Sequence, residues 1–90
     1  MDLIKYKWKC RILLLNITCY KDSNYKRSKE LYQESIKEFH KRHVKLISNR
    51  KKDLKFSIKL IGYDGTLKKK FDTLVPKDIF ELIDSMPMSD

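Results

Sequence analysis

The sequence predicts a single α/β domain over residues 1–90, with elements in the order β-α-β-β-β-α that build a four-stranded mixed sheet and two helices. Three patterns carry this prediction. Residues 11–17 are almost continuously apolar, residues 22–41 repeat apolar side chains with the period of a helix, and residues 54–71 alternate around an Asp-Gly turn. A chain of this length supports one hydrophobic core, because it buries only about 60–65% of its unfolded surface.

The first strand and the first helix follow from the first two patterns. An apolar run such as residues 11–17 is typical of a central strand that is covered on both faces. Asp22 and Ser23 can cap the helix that follows, because their side chains accept hydrogen bonds from its free N–H groups. One face of this helix carries Tyr25, Tyr32, Ile36 and Phe39. We expect one continuous helix that ends near Lys41.

The remaining elements are two further strands, a hairpin and a second helix. Alternation predicts strands over residues 43–48 and 54–60, and Asp64-Gly65 tolerates the positive φ angles of a tight turn. Pro76 suits the first turn of the second helix, which Pro87 should end. A β-α-β crossover makes the first two strands parallel neighbours, so the hairpin pairs with the free side of the first strand. We expect the two helices to cover the sheet.

Three segments carry a resemblance to a known family: residues 3–15 (LIKYKWKCRILLL), 60–68 (LIGYDGTLK) and 79–88 (IFELIDSMPM). They resemble the uncharacterised thioredoxin-like group called DUDES, found as small bacterial proteins and as the C-terminal domain of animal sushi-repeat-containing extracellular proteins. The resemblance implies a thioredoxin-like fold and a peroxiredoxin-related ancestry, and it brings no established reaction. The chain departs from the usual thioredoxin arrangement between Ser48 and Lys55, where it is too short for a helix between the second and third strands.

The two cysteines flank the first strand. Nine residues of extended chain place Cys10 and Cys19 about 30 Å apart, whereas a disulfide needs Cα atoms within about 7 Å, so we expect no bridge. Cys19 stands where thioredoxin-like enzymes place a nucleophilic sulfur, near a helix N-terminus, and Lys21 could stabilise its thiolate. No Cys-x-x-Cys pair is present. Cys19 is therefore a candidate catalytic residue for single-cysteine chemistry, and an unreactive thiol is the alternative.

Lysine and arginine outnumber the acids by 21 to 12, which gives a formal net charge of +9. From Phe71 onward there are five acids and one lysine, so residues 1–70 carry +13. Such a field attracts polyanions, and the Tyr6 and Trp8 rings among the first lysines are typical of nucleic-acid binders. The alternative is an ordinary solvated face. The candidate polyanion-binding residues are Lys5, Lys7, Lys9, Arg11, Arg50, Lys51, Lys52, Lys68, Lys69 and Lys70.

Cofactor and metal chemistry have little support in the sequence. His40 and His43 are spaced for one helix face, but two ligands do not close a metal site, so we interpret them as a solvated helix end. No Gly-rich phosphate loop is present, and we predict no cofactor. The longest apolar run, residues 12–15, is too short for a transmembrane helix or for a signal peptide. No particular protein partner, oligomeric state or compartment is indicated, and a mature secreted form that has lost its leader stays an alternative.

Three functions remain as hypotheses. The leading one is a non-catalytic thioredoxin-like interaction module. The second is a single-cysteine peroxiredoxin-like thiol enzyme that uses Cys19. The third is a protein that binds a polyanion, either nucleic acid or glycosaminoglycan, through its basic patches.

Overall fold

The computed structural model describes residues 3–53 and 55–86, and it confirms the predicted fold class. None of the described helices is both long enough and apolar enough to cross a bilayer. The elements, in chain order, are a 3-10 turn (Ile4–Tyr6), β1 (Arg11–Ile17), α1 (Ser23–Glu34), α2 (Ile36–Lys41), β2 (Val44–Arg50), β3 (Ser57–Ile61), β4 (Leu67–Phe71) and α3 (Pro76–Asp84).

The four strands form one mixed sheet in the order β2-β1-β3-β4. β1 pairs in parallel with β2 and antiparallel with β3, and β3 pairs antiparallel with β4. This is the predicted topology. The crossover through the helices places β2 on one side of β1, and the hairpin occupies the other side.

The first predicted helix is in fact two helices, because the backbone breaks at Ser35. Ser35 has φ −114° and ψ 25°, and its N–H donates to the carbonyls of Tyr32 and Gln33. The bend lets Phe39 stack on Tyr32 and meet Phe80 of α3 edge-on, with ring centroids 4.7 Å apart in both pairs. The apolar stripe continues across the break, so periodicity alone did not reveal it.

The hydrophobic core lies between the helices and one face of the sheet. Leu13, Leu15 and Ile17 of β1 point into it and are fully buried. Because side chains alternate along a strand, these three residues share a face. The buried apolar residues of the helices belong to this same core, and they are Tyr25, Tyr32, Phe39, Ile79 and Ile83.

No described α-helix packs on the opposite face, because the six residues between β2 and β3 leave no room for a helix together with the turns that would connect it. The expectation that helices cover the sheet therefore holds for one face only. We call the other side the helix-free face. By strand register it comprises Ile12, Leu14, Asn16, Lys45, Ile47, Asn49, Ser57, Lys59, Ile61, Leu67 and Lys70. Part of this face is still covered, since Ile12 and Ile61 are buried and the Tyr6 ring of the 3-10 turn lies 5.1 Å from the Lys45 ammonium.

Strand and helix limits differ slightly from the prediction. β2 extends to Arg50 because its parallel pairing with β1 continues to the last residue, Ile17. β3 begins at Ser57, and Leu54, where the predicted strand starts, lies outside the described residues. Pro87, predicted to end the second helix, also lies outside them.

The hairpin turns at the predicted dipeptide. Gly65 has φ 81°, a conformation that side chains disfavour, and the Gly62 N–H donates to the Thr66 carbonyl at 3.0 Å. Asp64 Oδ1 accepts from the Thr66 N–H at 3.0 Å and from its hydroxyl at 2.7 Å, and Oδ2 accepts from Lys68 at 3.2 Å. These bonds, the Thr66 N–H foremost, lower the pKa of Asp64 from 3.8 to about 2.

The complete burial of Leu15 in the core predicts that truncating its side chain will destabilise the protein. Leu15→Ala should lower the free energy of unfolding by about 2–5 kcal/mol, because it removes fully buried methyl groups and leaves a cavity. Leu67→Ala is the matched control, since Leu67 is 53% exposed, and its effect should stay within about 0.5 kcal/mol. Urea denaturation measures both. Similar losses in the two variants would contradict the position of the core.

The Asp64 turn predicts a pH dependence. Because the pKa of Asp64 is lower in the folded than in the unfolded chain, its carboxylate stabilises the fold above the unfolded pKa, near 3.8. That contribution is lost as the pH falls to about 2. Urea midpoints measured across this window should decline less steeply in Asp64→Asn than in the parent protein. An NMR titration that places the Asp64 pKa near 3.8 would contradict this turn geometry.

Candidate functional site

Three segments meet at the carboxyl end of β1. Since β2 and β3 flank β1, the segment that joins them must cross this end, and the Lys51 N–H donates to the Ile17 carbonyl at 3.0 Å. The loop from β1 to α1 starts here, and β4 finishes here because it runs antiparallel to β3. We call this region the carboxyl edge, which consists of residues 18–22, 50–53, 55–57 and 70–72.

Cys19 lies exposed at the carboxyl edge, in the loop before α1. Its Sγ accepts a long hydrogen bond, 3.4 Å, from the Lys21 N–H. The N-terminus of α1 is capped by Asp22, whose Oδ1 accepts from the Asn24 N–H at 2.7 Å. A carboxylate therefore occupies the position from which the helix would best stabilise a thiolate. Both cysteines are free, as the length of the strand predicts.

Eight of the ten candidate cations lie at the two ends of the sheet. Lys5, Lys7 and Lys9 lie in the segment before β1, and the Lys7 side chain lies beside Gly65 of the hairpin turn. Lys68 is at the same end and forms an ion pair with Asp64. The other end, the carboxyl edge, holds Arg50, Lys51, Lys52 and Lys70.

The other two candidate cations, Arg11 and Lys69, lie against aromatic rings of the protein. Lys5, Lys7 and Arg50 also lie within 6.0 Å of an aromatic ring centroid. Arg11 is 9% exposed, donates from Nη1 to the Arg42 carbonyl at 2.8 Å, and stacks on the Tyr63 ring at 4.5 Å. Lys69 pairs with Leu60, on the helix-covered side of the sheet, and its ammonium lies 5.3 Å from the Phe71 ring centroid. The lysine run 68–70 is thus split between two faces, as alternation along a strand requires.

A cavity of about 280 Å³ opens where the helix-free face meets the carboxyl edge. We call it the Ser57 cavity. Three of its lining residues are lysines and one is an acid, so its charge is positive. The lining residues are Asn16, Lys55, Phe56, Ser57, Lys59, Lys70 and Asp72.

A row of hydrogen bonds runs across the sheet to this cavity. Asn49 Nδ2 donates to Asn16 Oδ1 at 3.0 Å, and Asn16 Nδ2 donates to Ser57 Oγ at 3.2 Å. Asn16 and Ser57 are both buried, at 5% and 8% exposure. Since the Ser57 oxygen already accepts a bond, its own proton is the group that can serve an acceptor in the cavity.

Two lysines stand directly opposite each other in the cavity wall. Lys59 of β3 pairs with Lys70 of β4, and like charges in that position repel. Among residues 3–53 and 55–86, no acid lies within ion-pair distance of Lys55, Lys59 or Lys70. Lys55 and Lys59 are not among the candidate residues predicted from the sequence, because neither lies in a basic run. The alternation of side chains and the pairing register of the hairpin could have predicted that Lys59 and Lys70 lie opposite each other.

A second cavity, of about 350 Å³, lies at the other end of the sheet and joins Cys10 to His40 and His43. Burial raises the pKa of the Cys10 thiol, and nearby Lys45 opposes that shift. Within the described ranges there is no group of three or more histidine, cysteine or acidic side chains that could hold a metal. The sequence did not predict that Cys10 lies near His40 and His43, because these residues are far apart along the chain.

A third cavity, of about 260 Å³, lies between α1 and Phe56. Cys19 lines none of the three described cavities. Cys19 is exposed, but none of these cavities would enclose a substrate against its thiol.

Comparison with known proteins supports the fold. No family model matches the chain, and no curated protein matches it. Among solved structures, the reduced 2-Cys peroxiredoxin of Plasmodium vivax is similar, with a TM-score of 0.74 over 94% of this chain and 82% of that chain. The two sequences are 14% identical, so the likeness shows the fold alone. The fold is thioredoxin-like.

The environments of the two thiols predict different reactivities. Iodoacetamide near pH 8 should alkylate Cys19 faster than Cys10, because Cys19 is exposed whereas burial raises the pKa of Cys10. Mass spectrometry of Cys10→Ser and Cys19→Ser measures each remaining thiol separately, and urea should abolish the difference. Equal rates in the folded protein would contradict the burial of Cys10.

Proposed function

We propose that this chain is a non-catalytic thioredoxin-like interaction module that binds its partner through the helix-free face. One observation carries the proposal: the four-stranded sheet has helices on one side only. The other side presents half-buried Leu14, Ile47 and Asn49 beside Asn16 and Ser57, which are buried and hydrogen-bonded to each other. A surface that combines apolar and polar groups suits recognition of another molecule.

The surroundings of Cys19 support a binding role over thiol catalysis. Cys10 is at the other end of β1, Asp22 caps α1, and none of the three described cavities reaches the thiol. A peroxidase or reductase would need an activated thiolate and a place for its substrate. Membership of the DUDES group, suggested by residues 3–15, 60–68 and 79–88, is part of the same proposal.

A second candidate function is polyanion binding, and the composition of the carboxyl edge favours it. Among the described residues, the edge and the Ser57 cavity together carry three acids: Asp22, Asp53 and Asp72. Asp22 is engaged as the cap of α1. Cations outnumber these acids, and a surplus at one edge attracts a polyanion. The cations are Lys21, Arg50, Lys51, Lys52, Lys55, Lys59 and Lys70.

Enzyme assays test the leading proposal. The purified chain should show no hydrogen peroxide reduction with dithiothreitol, and no insulin disulfide reduction, above the rate of Cys19→Ser. The physical reason is that the exposed thiol has neither a partner cysteine nor an enclosing described cavity. Cys10→Ser serves as the matched control, because it removes the other thiol.

A peroxidase or reductase rate that disappears in Cys19→Ser and persists in Cys10→Ser would overturn the non-catalytic proposal. That pattern would favour the single-cysteine enzyme. Circular dichroism of both variants checks that each retains the fold.

A further inference from the structure

We propose that the Ser57 cavity, together with the Leu14 and Ile47 side chains beside it, binds a nucleotide of a single-stranded nucleic acid. The phosphate would lie against Lys59, Lys70 and the Ser57 hydroxyl, and the base would cover the two aliphatic side chains. This inference rests on the polyanion-binding candidate described above and names the polyanion.

The first argument is the unbalanced charge of the cavity wall. Lys59 and Lys70 oppose each other across β3 and β4, and no described acid forms an ion pair with either. Repulsion between them costs the free protein stability, and a bound anion between them would relieve it. Ser57 adds a neutral donor, because the Asn16 amide already occupies its oxygen as acceptor.

The second argument is the order of side chains across the sheet. Strand register places Lys70, Lys59, Leu14 and Ile47 in one row, one residue from each strand. Three strand spacings make this row about 14 Å long. Cations thus stand at one end and aliphatic side chains at the other, which matches the phosphate and the base of a nucleotide.

The third argument separates nucleic acid from other polyanions. A sulfated polysaccharide would use the lysines but has no flat apolar group for Leu14 and Ile47. Asn49 stands one row away from Ile47, where its amide can reach a base edge. A duplex hides its base faces within the stack, so a flat sheet that contacts base faces selects single strands.

The test is fluorescence anisotropy with a labelled mixed-sequence single-stranded RNA at low salt. The double variant Lys59→Gln/Lys70→Gln should weaken binding at least about tenfold, and the slope of log K against log salt should fall by about 0.7, the value for one lost phosphate contact. Lys37→Gln/Lys77→Gln is the matched control, with the same charge change on exposed residues of α2 and α3. It should weaken binding less than about threefold.

Two further measurements distinguish loss of the site from unfolding and from a general loss of polyanion binding. Without ligand, the urea midpoint of Lys59→Gln/Lys70→Gln should equal or exceed that of the parent, since repulsion is removed, so lost binding would not reflect unfolding. Ile47→Thr retains β-branching in the strand and should weaken RNA binding several-fold while heparin retention stays unchanged.

The outcomes separate this site from the function on which it rests. Equal losses in the two double variants would overturn the site and leave general polyanion binding intact. Retention on heparin without RNA binding, or equal sensitivity of both to Ile47→Thr, would overturn the nucleic-acid assignment. Failure to bind either polyanion at low salt would overturn the polyanion candidate as well.

Discussion

The position of β1 between a parallel and an antiparallel neighbour governs the rest of the molecule. Its inward side chains are fully buried, and it pairs with β2 on one side and β3 on the other. Parallel pairing with β2 requires a crossover, which α1 and α2 supply on one face. The chain must then pass from β2 to β3 across the end of β1. One buried strand therefore locates both the core and the carboxyl edge.

A short connection at this crossing leaves the second face without an α-helix, and this face is partly buried and partly polar. Its centre is polar, because Asn49, Asn16 and Ser57 are linked by hydrogen bonds. Lys59 and Lys70 lie in the neighbouring row of the same face. The outer strand β4 carries three consecutive lysines, which discourage edge-to-edge pairing with other strands. The same lysines make this edge of the sheet positively charged.

The sequence predicted some of the candidate functional residues that lie at the carboxyl edge. It identified Cys19 because that residue follows the apolar run of the first strand, and it identified Arg50, Lys51 and Lys52 as a basic cluster. It treated Lys68, Lys69 and Lys70 as one patch, whereas the strand sends neighbours to opposite faces. Lys55 and Lys59 went unnoticed because charge was sought in runs, and their association requires the register of two strands.

What the sequence alone determined was local: the strands, the Asp64-Gly65 hairpin, the apolar stripes of the helices and the separation of Cys10 from Cys19. Each depends on periodicity, turn chemistry or the length of extended chain, which neighbouring residues specify. The tertiary structure decided the break at Ser35, the helix-free face of the sheet and the grouping of Lys55, Lys59 and Lys70 around Ser57. These features arise where distant segments pack, pair and cross, so no single segment of the sequence contains them.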